Sequence, residues 1–326
     1  MEGANGAGKT NLVEALHVGT QGFSPRTRSD AQMVRFGASA GRIRLRGDRS
    51  GAVFEVDLVL NPRDSRRARL NGSPLRSADQ LRHELQALVF TPDRLAVVKG
   101  GPAARRAYLD RSLARMFPSR AQLPIEYGAA IGQRNAALRR VASGSSSRDA
   151  LVPWTEAVVT LGAALADARR DVVSALAPAF ATCAAVLGLD DAVLAYDGEG
   201  PTLRELEARL ERDLERGATG AGPHLHDVRV EAGGRELRSF GSQGEQRVAV
   251  LALVLAESQT LADRFGAPPL VLLDDVLSEL DDVRRRSLAT LIADGGQAVV
   301  TTTSREAFPG DPSQLLRVVN GQVLAA

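Results

Sequence analysis

Apolar residues recur at helical spacing directly after the glycine-rich start of the chain, and further on they alternate with polar residues. The stretch TNLVEALHVGTQG predicts a helix of about three turns, with one apolar side formed by Leu12, Ala15, Leu16 and Gly19. From Arg42 onward, RIRLRGD, AVFEVDLVL and RRARLNGSPLR alternate, and Asn71-Gly72 is a hairpin turn signal. This pattern predicts antiparallel strands, followed by a buried strand in LQALVF, Leu85 to Phe90.

The middle of the chain is helical in character and the last third alternates between helices and strands. Ala103 to about Gly217 is long enough for about four helices, with a loop at SGSSSRD. The final third predicts a helix, the apolar strand LVLLDD, a second helix, the apolar strand AVVTTT and a small strand pair around Asn320-Gly321. Such alternation predicts a parallel sheet in an α/β fold. We therefore expect a nucleotide-binding domain of residues 1–102 and 225–326, with a helical domain at 103–224 inserted into it.

The composition is that of a globular protein, and it excludes several classes of protein. The chain has 326 residues, of which 44% are hydrophobic, enough for a sizeable core. Its longest apolar runs, such as Val248 to Ala256, are shorter than the roughly 18 residues of a membrane helix, so we expect no membrane partner. One cysteine, Cys183, excludes a disulfide framework and a zinc cluster of cysteines. Cytoplasmic residence is the expectation.

The charged residues are almost balanced, and nearly all of the basic ones are arginine. Net charge is +2, and Lys9 and Lys99 are the only lysines among 41 basic residues. Any contact with nucleic acid must therefore come from a local patch and not from a chain-wide positive field. Aromatic residues make up 4% of the chain, which argues against stacking on single strands as the main mode of binding.

The first motif with a chemical meaning is GANGAGKT, Gly3 to Thr10, which fits the phosphate-loop pattern G-x-x-x-x-G-K-[ST]. Its glycines let backbone N–H groups converge on phosphate oxygens, while Lys9 supplies charge and Thr10 a hydroxyl for Mg²⁺. A chance match in a chain with 31 glycines is the alternative, and the amphipathic helix that follows argues against it. The predicted ATP-binding residues are Gly3, Ala4, Asn5, Gly6, Ala7, Gly8, Lys9, Thr10 and Asn11.

Two further motifs complete a nucleotide site. LVLLDDV predicts a buried strand that ends in Asp274, a Mg²⁺ ligand together with Thr10, and Asp275, which would orient or deprotonate the attacking water. The alternative is a strand that ends in an acidic turn. SFGSQGEQRVAVLALVLAES predicts a helix whose N-terminus offers donors from Ser242 and Gly244 to an anion. The alternative here is a plain capping box between Ser242 and Glu245.

The order of these motifs resembles the ABC-type P-loop ATPase head with an inserted helical arm, in its SMC-related branch, and within that branch the RecF family of recombinational repair proteins. The stretches LVFTPDRLAVVKGGPAARRAYLD, GQRNAALR, GPH and RVVNGQV are also similar to that family and follow the same order. The resemblance covers essentially the whole chain. It implies a DNA-binding ATPase of DNA replication, repair and the SOS response to DNA damage.

The resemblance also implies a mechanism and partners. ATP bound to one subunit would be contacted by the signature turn of another subunit, so that ATP causes homodimerisation. Hydrolysis of the ATP would release the dimer. The residues of the signature turn are Ser242, Gln243, Gly244, Glu245 and Gln246. Asp275 stands where related heads carry glutamate, and its shorter side chain predicts slow ATP hydrolysis. The resemblance also implies that DNA stimulates this hydrolysis. The implied partners are double-stranded and gapped DNA and the mediator proteins RecR and RecO. Candidate DNA contacts are Lys99, Arg105, Arg106, Arg111 and Arg115, or Arg134, Arg139 and Arg140.

Two departures from the family pattern are visible. Leu225, His226 and Asp227 follow GPH, where the family has one basic and two acidic residues, and a His224-x-His226 metal pair is the alternative role for this turn. The family also begins about 30 residues upstream of the loop, with strands that lead into it, and Met1 and Glu2 are too few to form that strand. We expect this chain to bind ATP weakly or to fold poorly. Another SMC-like head, or a scaffold that no longer hydrolyses ATP, remains an alternative.

Overall fold

A single helix directly after the phosphate loop organises the first part of the computed structural model. The structure describes residues 1–27, 29–49, 51–62, 66–91, 95–293 and 295–325. Helix α1, Lys9–Gln21, follows the loop as predicted. On one side its Val13 packs with Val89 and Leu272, and on the other its Val18 packs with Leu58 and Leu60. This helix therefore lies between two sheets and contributes apolar residues to the core of each.

The first of these two sheets is antiparallel and contains four strands in sequence order. Its strands are β1 (Gly41–Arg49), β2 (Ala52–Leu60), β3 (Arg67–Leu70) and β4 (Ser73–Pro74), and α2 (Asp30–Met33) precedes them. Gly19 of α1 lets the sheet approach closely, since a Cβ there would lie 2.4 Å from Leu45 Cδ1. The predicted hairpins are confirmed, with Asn71 and Gly72 in the left-handed region at the β3–β4 turn.

The second sheet is parallel and ends at the predicted acidic motif. Helix α3, Ala78–Glu84, leads into β5, Ala87–Phe90, so the strand predicted from Leu85 begins two residues later. Strand β9, Leu270–Leu273, lies between β5 and β10, Ala298–Val300, in the order β10-β9-β5. All four residues of β5 are buried, as expected for a strand covered on both faces. The remaining elements are α12 (Asp282–Ala293) and the hairpin β11 (Leu316–Val319) with β12 (Gln322–Ala325).

The chain divides into two compact units. The first comprises Met1–Arg94, Val186–Gly188 and Val250–Ala326, and the second Leu95–Ala185 and Leu189–Ala249. Within the quoted family stretch TPDRLAVVKGG, residues 92–94 lie outside the described part of the chain. The predicted domain boundaries at residues 103 and 225 stay a prediction.

The second unit is mainly helical, with a small antiparallel sheet that the sequence did not fully predict. Strand β6, Val193–Ala195, lies within the stretch predicted to be helical and pairs with β7, Arg229–Ala232, which also pairs with β8, Arg235–Glu236. The helices are α4 (Ala96–Lys99), α5 (Pro102–Met116), α6 (Leu123–Ala142), α7 (Val152–Val186), α8 (Leu203–Ala208), α9 (Leu210–Arg216), α10 (Leu237–Phe240) and α11 (Gln243–Phe265). The later part of α11 belongs to the first unit.

Helix α7 corrects one expectation drawn from the apolar runs. By length and mean hydropathy alone, the segment Arg148–Val186 could cross a membrane. A single segment of this kind is weak support for a span, because core helices of globular proteins share its composition. Within the second unit, α7 buries Arg169, whose guanidinium donates to both carboxylate oxygens of Asp110 at 2.9 and 3.0 Å. This contact ties α7 to α5, on which Asp110 lies.

The second unit also contains a fully buried ion pair. Arg134 and Asp213 have side chains that are 1% and 2% exposed, and their closest atoms are 2.8 Å apart. Arg134 also donates to the hydroxyl oxygens of Thr155 and Thr219, and Asp213 accepts from the backbone N–H of Gly220. Because the charges are enclosed and hydrogen bonded on several sides, removing one partner leaves the other as an uncompensated buried charge.

We predict that Arg134→Ala lowers the free energy of unfolding by about 3–5 kcal/mol, measured by urea denaturation. The matched control is Arg148→Ala, which removes an exposed arginine paired with Glu211 and should cost only about 0–1 kcal/mol. Equal costs for the two variants would contradict this account of the buried pair.

Candidate functional site

The glycine-rich loop turns sharply just before α1. Gly6 and Gly8 have φ angles of 77° and 106°, a left-handed conformation that favours glycine. A Cβ on Gly8 would also come within 3.2 Å of the Cα of Gly321, at the turn between β11 and β12. The backbone N–H of Gly321 donates to the Ala7 carbonyl oxygen at 2.8 Å. The terminal hairpin therefore packs directly on the loop and helps to fix its shape.

The first three residues are paired with neighbouring backbone on both sides, although Met1 and Glu2 are too few to form a regular strand. Glu2 forms parallel bridges with Thr302 and with Arg317 of β11. Four backbone hydrogen bonds of 2.8–3.2 Å hold this segment: Glu2 N–H to Leu316, Val318 N–H to Glu2, Gly3 N–H to Thr302, and Thr302 N–H to Met1. The segment is too short for a regular strand, yet it enters the loop with sheet-like pairing.

Gly3 is needed for a different reason from the other loop glycines. A Cβ at this position would lie 2.4 Å from the carbonyl oxygen of Val318, closer than any real contact. The obstacle is a backbone atom, which cannot turn away as a side chain can. The first glycine of the motif thus permits the close approach of β11, whereas Gly6 and Gly8 permit the turns.

Lys9 is turned back onto its own loop. Its ammonium group donates to the carbonyl oxygens of Gly3 at 2.6 Å and Ala4 at 3.0 Å, and the residue is 9% exposed. These two acceptors hold the amine at the centre of the loop, where an anion bound by the loop would meet it. A buried ammonium with only partial compensation favours a negatively charged ligand.

The two carboxylates at the end of β9 have different environments. Asp274 is buried and accepts a hydrogen bond of 2.8 Å from the hydroxyl of Thr301. The same hydroxyl oxygen accepts the backbone N–H of Asp275 at 2.9 Å, and Asp275 is exposed with a φ of 52°. Thr301, which directly follows β10, thus fixes the Asp274 carboxylate and the backbone of Asp275, whose carboxylate is accessible. A fixed carboxylate beside a hydroxyl fits a hard divalent cation, and an accessible one can contact water.

The loop and the acidic strand end line one cleft of about 290 Å³ in the first unit. The predicted residues that line it are Asn5, Gly6, Gly8, Lys9, Thr10, Asn11, Asp274 and Asp275. Gly3, Ala4 and Ala7 belong to the loop but do not line the cleft. Sequence reasoning missed two lining residues, Arg26 and Thr301.

Arg26 reaches the cleft because the segment after α1 folds back. The Ser24 hydroxyl oxygen accepts the N–H groups of Arg26 and Thr27 at 3.0 and 3.1 Å, and the Ser24 hydroxyl in turn donates to Glu14. The Arg26 guanidinium is 3.4 Å from Glu14 and 43% exposed, so it can reach a ligand. In the sequence, Arg26 could have been noticed as an arginine a few residues after α1, in SPRTR. Thr301 could have been noticed as the first residue after the apolar run AVV.

The signature turn, Ser242 to Gln246, lies in the second unit at the start of α11, and the capping box given as the alternative interpretation is present there. Ser242 N–H donates to the Glu245 carboxylate at 2.7 Å, and Glu245 N–H donates to the Ser242 hydroxyl oxygen at 3.2 Å. Gln246 differs from its neighbours: it is buried and its amide donates to the carbonyl oxygens of Leu237 and Gly241. Gln243 opens the helix, Gly244 follows it, and the Gln246 side chain holds the turn internally instead of facing a ligand.

The structure overturns two of the arginines proposed as DNA contacts. Arg105 is 2% exposed and donates to Asp227 at 2.7 and 2.5 Å and to the carbonyl oxygens of Val98 and Gly100. Arg134 is enclosed by Asp213 and two threonines, as described above. Both are wrong as DNA contacts, because a neutralised and buried guanidinium cannot reach a phosphate.

The other candidates differ in accessibility. Arg106 is half-buried, donates to the His226 carbonyl oxygen at 2.7 Å, and has its pKa lowered by burial and by nearby Arg169. Arg111 and Arg115 are also half-buried, whereas Lys99, Arg139 and Arg140 are exposed. DNA binding by these residues stays a prediction.

The two histidines of the turn after Gly222 have internal partners. His224 Nδ1 lies 2.8 Å from the Tyr127 hydroxyl and its Nε2 3.0 Å from the Thr219 carbonyl oxygen, while His226 Nδ1 lies 3.0 Å from the Tyr196 hydroxyl. Burial lowers the pKa of both imidazoles. Across the described ranges, no group of three histidine, cysteine or acidic side chains could hold a metal, so the alternative of a metal pair is wrong. Asp227, directly after His226, neutralises Arg105.

Comparison with known proteins identifies what the chain is similar to. The model of the RecF/RecN/SMC N-terminal domain matches residues 1–323. The DNA replication and repair protein RecF of Anaeromyxobacter dehalogenans strain 2CP-C is 40% identical over 323 residues, which cover 93% of this chain and 85% of that protein. The RecF protein of Myxococcus xanthus strain DK1622 is 37% identical, with coverage of 98% and 89%.

Solved structures agree. The recombination mediator protein RecF in the RecFOR pathway, in its RecF-ATP form, has a TM-score of 0.83 and 25% identity, covering all of this chain and 90% of that one. An Smc head domain from Pyrococcus furiosus has a TM-score of 0.58 with 16% identity, which shows a shared fold.

We predict that Gly3→Ala lowers the free energy of unfolding by about 1–3 kcal/mol and weakens nucleotide binding, because the new methyl group meets the Val318 carbonyl oxygen. Gly132→Ala in α6 is the control: its methyl group meets no atom within 4 Å, and it should be neutral or stabilising. Urea denaturation and titration with a fluorescent ATP analogue measure both effects. Wild-type behaviour of Gly3→Ala would contradict the role of this close approach.

Thr301→Val should remove the hydrogen bond to the Asp274 carboxylate and the one from the Asp275 backbone N–H, while keeping the side-chain shape. We expect a stability loss of about 1–3 kcal/mol and a fall of roughly tenfold or more in Mg²⁺-dependent nucleotide binding. Thr301→Ser keeps the hydroxyl and should retain most of the binding. The measurement is nucleotide affinity as a function of Mg²⁺ concentration, and equal affinities for the valine and serine variants would refute the orienting role.

Proposed function

The chain belongs to the RecF family of DNA replication and repair proteins, whose fold is the ABC-type ATPase head, and we propose that it is an ATP-dependent DNA clamp of recombinational repair and replication restart. One observation carries the proposal: the phosphate loop, Arg26 and the two carboxylates that directly follow β9 line a single cleft. The RecF relatives and the RecF-ATP structure support ATP as the nucleotide. This arrangement argues against the alternative of a scaffold that no longer hydrolyses ATP.

Gly3 to Asn11 hold the triphosphate in this proposal. The backbone N–H groups at the start of α1 face the phosphates, where the positive end of the helix dipole favours anions. Lys9 exchanges the carbonyl oxygens of Gly3 and Ala4 for phosphate oxygens, which compensates its charge better. Arg26 adds a second cation at the rim of the same cleft.

Thr10 and Asp274 would hold Mg²⁺, since a hydroxyl and a fixed carboxylate are the oxygen ligands that this ion prefers. When bound, the ion neutralises phosphate charge and orients the phosphate groups. Thr301 keeps Asp274 in place for this role. Asp275 is the accessible carboxylate and acts as the base or positioning group for the attacking water, and its short side chain makes hydrolysis slow.

The signature turn, Ser242 to Gln246, completes the site of a second subunit in the proposed dimer. Ser242 and Gly244 supply donors at the N-terminus of α11, while the capping box and the buried Gln246 amide keep the turn rigid. Such a contact depends on the terminal phosphate of ATP. ATP hydrolysis, with Asp275 acting on the attacking water, therefore removes the contact and releases the dimer. The nucleotide thereby controls how long the protein stays on DNA.

Double-stranded and gapped DNA are the proposed substrates of the clamp, and DNA binding would stimulate its ATPase. RecR and RecO are the proposed protein partners, supported by structural similarity to the RecF of the RecFOR pathway. A cytoplasmic location follows from a role on chromosomal DNA.

The decisive test is ATP-dependent dimerisation on gapped duplex DNA. By analytical ultracentrifugation we expect dimers with ATP and Mg²⁺ but monomers with ADP, and monomers for Lys9→Ala under both conditions. A wild-type chain that stays monomeric with ATP and gapped DNA would refute the clamp.

Asp275→Asn should slow ATP hydrolysis and prolong the ATP-bound dimer, because asparagine keeps the left-handed backbone but cannot accept a proton from water. Asp311→Asn, at a fully exposed carboxylate, is the matched control and should hydrolyse ATP at the wild-type rate. Hydrolysis at the wild-type rate in Asp275→Asn would remove this residue from the catalytic role.

A further inference from the structure

One face of the antiparallel sheet in the first unit is rich in exposed arginine. In β1 the side chains alternate, so that Ile43 and Leu45 pack inward while Arg42, Arg44 and Arg46 are exposed. In β3 the exposed residues are Arg67 and Arg69. None of these arginines was among the DNA contacts expected from the sequence.

The strand register places these arginines on both sides of β2: Arg42, Arg44 and Arg69 lie around Asp57, and Arg67 lies two residues further along. Arg44 and Arg69 lie on either side of Asp57 in β2, and Arg42 and Arg67 lie on either side of Val59. We call Arg42, Arg44, Arg67 and Arg69 the arginine face. Arg46 lies beyond it, opposite Glu55, where the charges are more nearly balanced.

Asp57 compensates only part of this positive charge. It accepts a hydrogen bond of 2.8 Å from Arg42 Nε, and Arg44 Nε lies 3.9 Å from its carboxylate. The Arg42 hydrogen bond, with the charges of Arg42, Arg44 and Arg69, holds the pKa of Asp57 below its usual value. The Arg42 and Arg44 side chains remain 51% and 61% exposed. Three guanidinium groups around one carboxylate leave a net positive charge, which favours a partner with closely spaced anions.

We propose that the arginine face binds the phosphate backbone of duplex DNA. This inference rests on the proposed DNA-binding function and names the surface that performs it. Alternate residues of a strand are about 6.8 Å apart, which equals two steps of the ~3.4 Å axial phosphate rise along one DNA strand. Arg42 and Arg44 thus match the axial spacing of every second phosphate, and the planar guanidinium groups can bind phosphate oxygens in pairs.

The chemistry of the face selects duplex over single-stranded DNA. The single aromatic residue of β1 to β4, Phe54, packs on the opposite side of the sheet with Val56 and Leu81. The arginine face therefore offers no ring on which an unpaired base could stack. Its exposed groups are charged or hydrogen-bonding groups that read a backbone and not a base sequence.

The test compares Arg44→Gln/Arg69→Gln with the wild type, by fluorescence anisotropy on two duplexes of unrelated sequence across a range of salt concentrations. Arg42 stays in place to pair with Asp57, and glutamine keeps part of each side chain, so the sheet should fold. We expect weaker binding to both duplexes and a slope of log K against log salt that is smaller in magnitude by about 2, or one for each lost phosphate contact. ATP affinity should not change.

Arg204→Gln/Arg212→Gln is the matched control, since it removes the same charge from two exposed helical positions in the second unit. It should leave the slope near that of the wild type. A wild-type slope in Arg44→Gln/Arg69→Gln would overturn the arginine face, as would an equal change in the control variant. A wild-type chain that binds no duplex DNA would instead refute the proposed function.

Discussion

The candidate site depends on the backbone pairing of residues 1–3 between the end of β10 and strand β11. This segment leads directly into the phosphate loop, and its hydrogen bonds to Thr302, Leu316 and Val318 fix the direction in which the loop begins. Gly3 makes that approach possible, because any side chain there would collide with β11. The contact of Gly321 with Ala7 and Gly8 then fixes the other end of the loop.

The same strand end also positions the carboxylates. Thr301 orients Asp274 and Asp275 through its hydroxyl, and the next residue, Thr302, pairs with Met1 and Gly3 through its backbone. Two adjacent residues thus join the phosphate-binding part of the cleft to its acidic part. Since both parts are hydrogen bonded to the end of β10, a disturbance of this strand would move both parts together.

Local patterns predicted the fold of the first unit and most of its cleft. The phosphate loop, helix α1, the hairpins of β1 to β4 and the acidic end of β9 are each encoded by neighbouring residues. Arg26 and Thr301 were missed because their roles depend on a chain reversal and on a neighbouring strand. Arg105 and Arg134 were misjudged because their acidic partners lie 122 and 79 residues away, so their neutralisation leaves no local signal.

The arginines show how one residue type serves two opposite purposes in a chain of net charge +2. In the second unit Arg105, Arg134 and Arg169 are buried, and each is held by a carboxylate and by further oxygen acceptors. Burial of a guanidinium is tolerated only with such compensation. In the antiparallel sheet of the first unit, Arg42, Arg44 and Arg69 share Asp57 and stay exposed to solvent. The net charge of the chain sums over both groups of arginines. The positive charge that the sheet offers to a polyanion is therefore recognised only from the partners that the arginines have in the fold.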